Sequence, residues 1–324
     1  MGHLVVMDDS PAQLALTAAG VRLWMEMRDD LDPSCEWDSA GTLWLAEDDG
    51  QLDAARAKID LYKEAGLEAE LIPGPELRRL EPALRDGLAG AVRIGDDAIV
   101  YPPAGVAHLL NRARQAGAEV TQGVTVDELV PHGVRIGQDV IHAEIVINAA
   151  GVLSPGLTPE LPIVPRRGHL AITDRYPGAC RHELVELGYL TSAHGADQSS
   201  VAFNLQPRAT GQLLIGSSRE FVGLDRDVSP PVLARMLRRA IEFMPSLGGL
   251  QILRTWTGFR PSTADHLPLI GPWPAVPGLW IAAGHEGLGI ATAPATGRLL
   301  ADLVLGRVPA IAPEPYRPDR SIAS

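Results

Sequence analysis

The chain has too little cysteine to be held together by disulfides or by a cysteine-bound metal. Its 324 residues include two cysteines, Cys35 and Cys180, in no CxxC or other metal-binding spacing. The histidines are scattered singly along the chain, and no HExxH pair occurs. We therefore expect two free, packed thiols and no metal site.

Long apolar runs and positive charge are also lacking. No apolar run approaches the ~20 residues of a membrane-spanning helix, and the start lacks the basic and apolar stretches of a signal peptide. The net charge of −12 argues against a nucleic-acid partner, which requires patches of Lys and Arg. Since 46% of the residues are hydrophobic and 21% charged, the composition is that of a globular protein, and we expect a soluble cytoplasmic one.

Apolar residues at helical spacing recur along the chain, with start and stop signals at their ends. Ser10 followed by Pro11 is typical of an N-cap and a first helical turn. Glycines that follow apolar periodic stretches indicate helix ends. The predicted helices run from Pro11, from about Leu52 to Ala65, from Pro102 to Gly117, from Pro230, and from Gly289 to about Leu305.

Strand patterns fill the remaining chain and dominate its middle third. The predicted strands are GTLWLA (41–46), HLAIT (169–173), SVAFNLQP (200–207), GQLLIGSS (211–218) and GLWIAAG (278–284), with two further strand segments at 117–130 and 133–151. The unbroken run from Ile145 to Ile147 predicts a strand buried on both faces. Helix–strand units on either side of a sheet-rich middle predict two lobes, each built from separate stretches of chain.

One candidate binding loop joins the strand at 278–284 to the last helix. Glycines at 284, 287 and 289 would let backbone N–H groups approach a ligand without obstruction by Cβ atoms. The following helix N-terminus adds a partial positive charge, which suits a phosphate, a carboxylate or the electron-poor end of a reduced flavin. A tight strand-to-helix turn explains the same residues, and the segment alone leaves both interpretations open.

A second candidate segment carries Arg260, which Pro261 holds in an extended or turn conformation. An arginine at a strand end suits a bidentate grip on a carboxylate. The competing interpretation is a surface ion pair with Asp265. A third segment, the small residues Ala149 to Gly151 after a strand, would let a cofactor pass closely, although a strand packed under a helix has the same pattern.

Taken in order, these segments resemble the D-amino-acid oxidase superfamily of FAD enzymes, which includes glycine oxidase and D-amino-acid dehydrogenase. The matching segments are VINAAG (146–151), PRRGH (165–169), PRATGQLLIGSSRE (207–220), WTGFRPSTADHLPLIG (256–271) and GHEGLGIATAPATG (284–297). The resemblance extends over essentially the whole chain. It implies an α+β (α/β) fold with a glutathione-reductase-type FAD-binding lobe (1–37, 97–160 and 266–324) and an antiparallel substrate lobe (38–96 and 161–265).

The resemblance also assigns roles to residues. Arg260 matches the arginine that binds the substrate carboxylate, and we group it with His285 as the catalytic candidates, with His285 as a flavin-loop residue rather than a general base. Asn204, which stands where glycine-oxidase-like members have a tyrosine, and Arg219 on the next strand complete the substrate-binding set. The cofactor-binding candidates are Val126, Ala149, Ala150, Gly151, Gly258, Gly284, His285, Glu286, Gly287, Leu288, Gly289, Ile290 and Ala291.

The chain departs from the family pattern at its start. The family normally opens with a strand, a GxGxxG turn and, after the second strand, an acidic residue that binds the ribose. None of these is present, and Met1-Gly2-His3 corresponds to a family segment that lies well inside the chain. We therefore expect the chain as written to hold FAD weakly.

The implied reaction is oxidation of the C–N bond of a small amino or imino acid, of the D-amino-acid, proline or hydroxyproline type, by hydride transfer to flavin N5. The partners are this small substrate and an electron acceptor that the sequence does not identify. A homo-oligomer and small partner subunits both stay open. The alternative is a truncated, flavin-deficient remnant or a non-catalytic subunit of such an enzyme, for which the absent N-terminal segment is the argument.

Overall fold

The fold is a mixture of helices and sheets, seen in a computed structural model that describes residues 1–6, 10–188 and 199–322. The helices are α1 (Pro11–Met27), α2 (Asp49–Glu64), α3 (Gly74–Leu80), α4 (Pro102–Gln115), α5 (Ser154–Leu157), α6 (Pro230–Phe243) and α7 (Gly289–Val304). The strands are β1 (His3–Leu4), β2 (Thr42–Ala46), β3 (Ala69–Pro73), β4 (Gly90–Ile94), β5 (Ala98–Ile99), β6 (Glu128–Val130), β7 (Gly133–Ile136), β8 (Asp139–His142), β9 (Val146–Asn148), β10 (Val164–Thr173), β11 (Glu183–Glu186), β12 (Ser199–Pro207), β13 (Leu213–Glu220), β14 (Ile252–Ser262), β15 (Leu269–Pro272) and β16 (Leu279–Ala283).

The predicted helices are confirmed, and their ends follow the signals in the sequence. The Ser10 hydroxyl accepts a hydrogen bond from the Gln13 amide, so Ser10 caps α1 as expected. Gly66 has a φ of 80° directly after α2, the left-handed conformation that ends a helix at little cost for glycine. The predicted sheet-rich middle and the α+β fold class are confirmed as well.

The largest sheet has eight strands in the order β14-β10-β13-β12-β11-β2-β4-β3. Its pairs are antiparallel except for the parallel pair of β2 and β11. Helix α6 packs on this sheet, and the ring of Phe243 stacks on that of Phe203 with 4.8 Å between centroids. The strands of this sheet come from 42–94 and 164–262, while the division into lobes at the boundaries given above stays a prediction.

A second core surrounds α1, α7 and the three-stranded sheet β15-β16-β9. Helix α1 approaches α7 closely because Gly20 lacks a side chain: a Cβ there would lie 2.2 Å from the Ala291 carbonyl oxygen. Pro294 lies inside α7 and has no N–H to donate to the carbonyl of Ile290. The indole Nε1 of the buried Trp24 donates to that carbonyl instead, at 2.9 Å. One side chain of α1 thus replaces the missing helical hydrogen bond of α7.

Two strand predictions were wrong. Residues 117–127 contain no strand, so only Glu128–Val130 of the first segment pairs, and the second segment divides into the hairpin β7–β8 and the separate strand β9. Ile145 and Ile147 are 38% and 46% exposed rather than buried. The reason is that β9 is an edge strand of its sheet and, in the described part of the chain, pairs only with β16.

The predictions for the two cysteines are confirmed: Cys35 and Cys180 are both free and buried. Within residues 1–6, 10–188 and 199–322, no helix is both long and apolar enough to cross a bilayer.

The hydrogen bond from Trp24 to α7 leads to a prediction about stability. Trp24→Phe keeps most of the apolar contact but leaves the partly buried Ile290 carbonyl without its donor, so we expect the free energy of unfolding to fall by about 1–3 kcal/mol. Trp37→Phe is the control. The indole of Trp37 donates to Ser39 in an exposed setting, so this substitution should lower the free energy of unfolding by less than ~0.5 kcal/mol. Denaturant unfolding measures both.

The Pro294→Ala background provides the decisive comparison. This substitution restores a backbone N–H that can donate to the Ile290 carbonyl, so Trp24→Phe should cost less there than in the parent chain. An equal cost in both backgrounds would show that Trp24 stabilises α7 by packing alone.

Candidate functional site

A cavity of about 350 Å³ lies where β1, β10, β12 and β14 meet the loop before α7. Seven of the residues predicted from the sequence line it: Asn204, Gly258, Arg260, Glu286, Gly287, Gly289 and Ile290. Seven further lining residues were not predicted: Met1, His3, Gly168, Leu170, Ser217, Trp256 and Phe259. The five motif segments supplied most of the first set, whereas the second set includes residues that only the fold brings to the cavity.

Arg260 extends from β14 over the neighbouring strand. Strands β10 and β14 pair in antiparallel register, with Arg166 opposite Arg260 and Gly168 opposite Gly258. The guanidinium Nη1 of Arg260 donates to the Ser218 carbonyl at 3.0 Å. A Cβ on Gly168 would lie 2.3 Å from that Nη1, so this position must be glycine for the arginine to lie where it does.

Asp265, which the competing interpretation of the sequence paired with Arg260, contacts a different arginine. Its carboxylate pairs with the guanidinium of Arg320, with N–O distances of 2.7 and 2.9 Å. Proximity along the chain suggested the first pair, but the C-terminal segment folds back and places Arg320 against Asp265. The carboxyl group five residues after Arg260 is therefore engaged elsewhere.

Glu286 is the acidic residue of the cavity, and three arginines surround it. Its Oε1 lies 3.2 Å from Nη1 of Arg166 and 3.8 Å from Nε of Arg219. Burial alone would raise the pKa of Glu286, but the guanidinium groups of Arg219, Arg260 and Arg166 hold it below its ordinary value. Glu286 is therefore a carboxylate at neutral pH. The sequence analysis had placed Glu286 among the cofactor-binding candidates without identifying its arginine partners.

The other two predicted substrate-binding residues differ in position. Asn204 on β12 is buried and lines the cavity, and its Oδ1 has no hydrogen-bond partner in the part of the chain that the structure describes. Arg219 on β13 is also buried but lies behind Glu286, outside the cavity lining. Arg219 thus acts on the cavity through the carboxylate that it contacts.

His285 faces away from the cavity. Its Nε2 lies 2.9 Å from the Thr296 hydroxyl on α7, and burial lowers its pKa to about 4. The imidazole is therefore neutral at neutral pH and holds the loop against the helix. This placement does not support the catalytic role assigned to His285, because the described lining of the cavity does not include it.

The N-terminus of α7 opens on the cavity through Gly287, Gly289 and Ile290. Among the described residues no side chain caps this helix, so its first backbone N–H groups are left for other partners. Gly258, across the cavity, has no atom within 4 Å of where a Cβ would stand. The result is a site with a positive helix end and flat, glycine-lined walls.

Gly284, Leu288 and Ala291 belong to the same loop and helix start. Gly284 has a φ of 84°, and a Cβ there would lie 3.0 Å from Cγ2 of Thr263, so glycine is required for the turn. Leu288 is the N-cap residue of α7, and Ala291 is fully buried against Gly20. These residues shape the loop rather than line the cavity.

The remaining cofactor candidates lie outside the cavity. Ala149 and Ala150 are exposed at the end of β9, where Gly151 has a φ of 58° and open space around it. Asn148 fixes this strand end, since its side chain donates to the Ser154 carbonyl and accepts from the Ala150 amide. Val126 is half-buried in the strand-free segment 117–127, so the strand on which it was placed is not formed.

Comparisons with known proteins give consistent results. The family model described as FAD dependent oxidoreductase (DAO) matches residues 2–303. Glycine oxidase of Pseudomonas aeruginosa is 32% identical over 331 residues, which cover 95% of this chain and 84% of that protein. The hydrogen cyanide synthase subunit HcnC of the same organism is 29% identical over 280 residues, 83% of this chain but only 64% of the subunit's length.

Among solved structures, glycine oxidase from Geobacillus kaustophilus superposes with a TM-score of 0.87 at 25% identity, covering 99% of this chain and 88% of that one. L-proline dehydrogenase from P. horikoshii shares the fold, with a TM-score of 0.86 at 22% identity over 96% of this chain and 83% of that one.

The contact between Gly168 and Arg260 can be tested by a double-mutant cycle. Gly168→Ala must displace the guanidinium group, and we expect it to lower the free energy of unfolding by about 1–3 kcal/mol. In the Arg260→Ala background the clash with the guanidinium is gone and only the 2.9 Å approach to the Ser218 carbonyl oxygen remains, so the same substitution should cost less. Gly156→Ala, with no atom within 4 Å of the new Cβ, is the control and should cost nothing. Equal costs of Gly168→Ala in both backgrounds would contradict this placement of Arg260.

Proposed function

Because the chain belongs to the DAO family of FAD dependent oxidoreductases, we propose that it oxidises the C–N bond of a small amino or imino acid by hydride transfer to FAD. The observation that carries the proposal is the position of Arg260, whose guanidinium lies in one cavity with the uncapped N-terminus of α7. The cavity thus combines a cation that can bind a carboxylate with a helix N-terminus that can stabilise an electron-rich ring. The predicted family and the FAD cofactor are confirmed.

The residues of the cavity fit the ring end of FAD. Gly258, Gly287 and Gly289 leave room for a flat ring, and the first N–H groups of α7 can donate to it. When bound, FAD supplies the two-electron acceptor on which the oxidation depends. For the phosphate end, we propose Ala149 to Gly151 at the open end of β9, since the 324 residues contain no GxGxxG turn.

The protein's part in the reaction is to bind, orient and desolvate the substrate. Arg260 would hold the substrate carboxylate, because its planar guanidinium has five N–H donors and can bind it while still donating to Ser218. Trp256 and Phe259 line the same cavity and would exclude water from the bond that breaks. Fixing one end of the substrate orients its Cα toward the glycine-lined wall.

The substrate class rests on two supports. Glycine oxidases are among the similar proteins, and one of the neighbouring structures is an iminodiacetate oxidase from Chelativorans sp. BNC1, with a TM-score of 0.81 at 25% identity. A cavity of about 350 Å³ also suits a small molecule. D-amino acids, proline and hydroxyproline therefore form the first panel of substrates, together with glycine.

The alternative is a flavin-deficient remnant or a non-catalytic subunit. Measurements of flavin content and of assembly distinguish it from the proposed enzyme. A homo-oligomer and small partner subunits stay predictions, and the relative named as a subunit makes the second worth testing by size-exclusion chromatography of the native protein.

A first test concerns the loop that we propose for the flavin. In Gly289→Val the new Cβ would lie 3.6 Å from Cβ of His285, an ordinary contact, so the fold should tolerate it. The side chain would nevertheless enter the cavity, and we expect the flavin-to-protein absorbance ratio to fall at least tenfold at unchanged circular dichroism. Gly297→Val is the matched control in the same helix, with open space around it. Full flavin occupancy in Gly289→Val would show that the loop is only a turn.

The central test concerns Arg260 as the carboxylate anchor. Arg260→Lys keeps the charge but loses the planar fork, and breaking such a pair costs about 2–5 kcal/mol, or roughly 30- to 5,000-fold in apparent affinity. The measurement is steady-state kinetics of the flavin-loaded protein with a dye as electron acceptor. An amine of the same size without a carboxylate should lose less than threefold.

Arg320→Lys is the control for Arg260→Lys, because Arg320 forms its two-point contact with Asp265 outside the cavity. It should leave the KM for the amino acid unchanged. If Arg260→Lys also keeps kcat and KM within threefold, the carboxylate binds elsewhere and the proposed function loses its support.

A further inference from the structure

We infer that His3 and Glu183 form a proton relay that takes a proton from the ammonium group of the substrate. The inference rests on the proposed function, and it adds a second polar end to the cavity that Arg260 lines. His3 lies on β1 and lines this cavity, whereas Glu183, at the start of β11, is buried behind it. Nδ1 of His3 contacts Oε1 of Glu183, so the carboxyl group lies directly against the imidazole.

The second ring nitrogen of His3 is the atom that would meet the substrate. In residues 1–6, 10–188 and 199–322, Nε2 of His3 has no hydrogen-bond partner, and neither has Oδ1 of Asn204, which lines the same cavity. The Asn204 amide nitrogen lies 3.5 Å from Nδ1 of His3, so the two side chains are neighbours. Two buried polar atoms that can both accept a hydrogen bond match an ammonium group, which has three N–H groups to donate.

Glu183 can accept the proton only in its ionised form, and burial then favours the protonated carboxyl group. Burial raises the pKa of Glu183 well above its ordinary value, and it lowers that of His3. A neutral imidazole between the cavity and a carboxylate can pass a proton from one ring nitrogen to the other side of the ring without remaining protonated. Asp97 lies behind Glu183 and accepts from the Val6 amide, and burial raises its pKa to about 8, so this carboxyl group is largely protonated at neutral pH.

The other charged groups that face His3 are poor bases or face it from the cavity side. These are Arg260, Glu286 and the α-amino group of Met1. The arginines hold the pKa of Glu286 low, so this carboxylate binds a proton weakly. Burial lowers the pKa of the Met1 α-amino group to about 6, so this amine is also neutral at neutral pH. What distinguishes His3 within the described lining of the cavity is the buried carboxyl group of Glu183 behind its ring.

The proton transfer involves two bonds broken and two formed. An N–H bond of the ammonium breaks, its electron pair stays on the nitrogen, and the proton bonds to Nε2 of His3. The Nδ1–H bond breaks in turn, and that proton bonds to Oε1 of Glu183. The substrate is left as a neutral amine, whose lone pair can stabilise the cation that forms when a hydride leaves Cα. Arg260 and the relay would thus hold the two ends of a zwitterion.

The test is the pH dependence of kcat/KM in the flavin-loaded protein, for the parent chain and for His3→Gln and Glu183→Gln. We expect both variants to lose about 10²- to 10⁴-fold at neutral pH. Both should recover toward the parent value at alkaline pH, where the substrate amine is already neutral in solution. His182→Gln is the matched control, because His182 contacts Glu81 through Nδ1 in the same way but lies outside the cavity. It should keep the parent profile.

Two outcomes would overturn the relay. In one, His3→Gln keeps kcat/KM within threefold at every pH. In the other, it loses activity by the same factor at every pH, which indicates a structural role.

A binding measurement separates failure of the relay from failure of the proposed function. Calorimetric affinities of glycine and acetate are measured against pH, because the two differ in the amine but share the carboxylate. In the parent chain the ratio of the two affinities should change with pH, and in His3→Gln this change should disappear. If the parent protein oxidises no amino acid, the proposed function fails, but the binding measurement still tests the relay. A glycine-to-acetate affinity ratio that depends on pH in His3→Gln as it does in the parent would refute the relay. Loss of that pH dependence in His3→Gln would support it.

Discussion

The carboxylate of Glu286 is the interaction on which the candidate site depends. Arg166 and Arg219 are both buried, and with Arg260 they place three guanidinium groups around Glu286, of which that of Arg260 lines the cavity. Burying a charge without a partner costs several kcal/mol. Glu286 offsets this cost for all three at once, and a surplus of positive charge remains on the side where Arg260 meets the cavity. An anionic ligand would therefore enter a site that is already arranged for it.

The loop before α7 is built around that carboxylate. Glu286 has a φ of 47°, a conformation that costs a residue with a side chain on the order of 1–3 kcal/mol. The cost is met because its amide donates to the Pro261 carbonyl and its carboxylate contacts the arginines. The preceding His285 faces the opposite way and contacts Thr296 on α7. Neighbouring residues thus tie the loop to the sheet and to the helix, and Gly287 and Gly289, which follow them, line the cavity.

Features set by local chemistry could be predicted from the sequence, and those set by strand order could not. Ser10 and Gly66 act within one helical turn, so their caps follow from the residues themselves. The exposure of Ile147 depends on which strands flank β9, and an apolar run carries no information about that. The pair of Asp265 with Arg320 was missed for the same reason, because residues 55 positions apart are brought together by the fold.

The candidate site shows the same division. Arg260 and the glycine loop could be found because they lie in motifs, whereas the requirement for glycine at position 168 appears only when β10 and β14 are paired. His3 and Glu183 are 180 positions apart, and neither carries a pattern of its own. What they share is burial, which removes the imidazole and the carboxyl group from water and shifts the pKa of each. Since a fixed cation and this pair both belong to the surroundings of one cavity, the zwitterion of an amino acid would complement it better than a simple anion would.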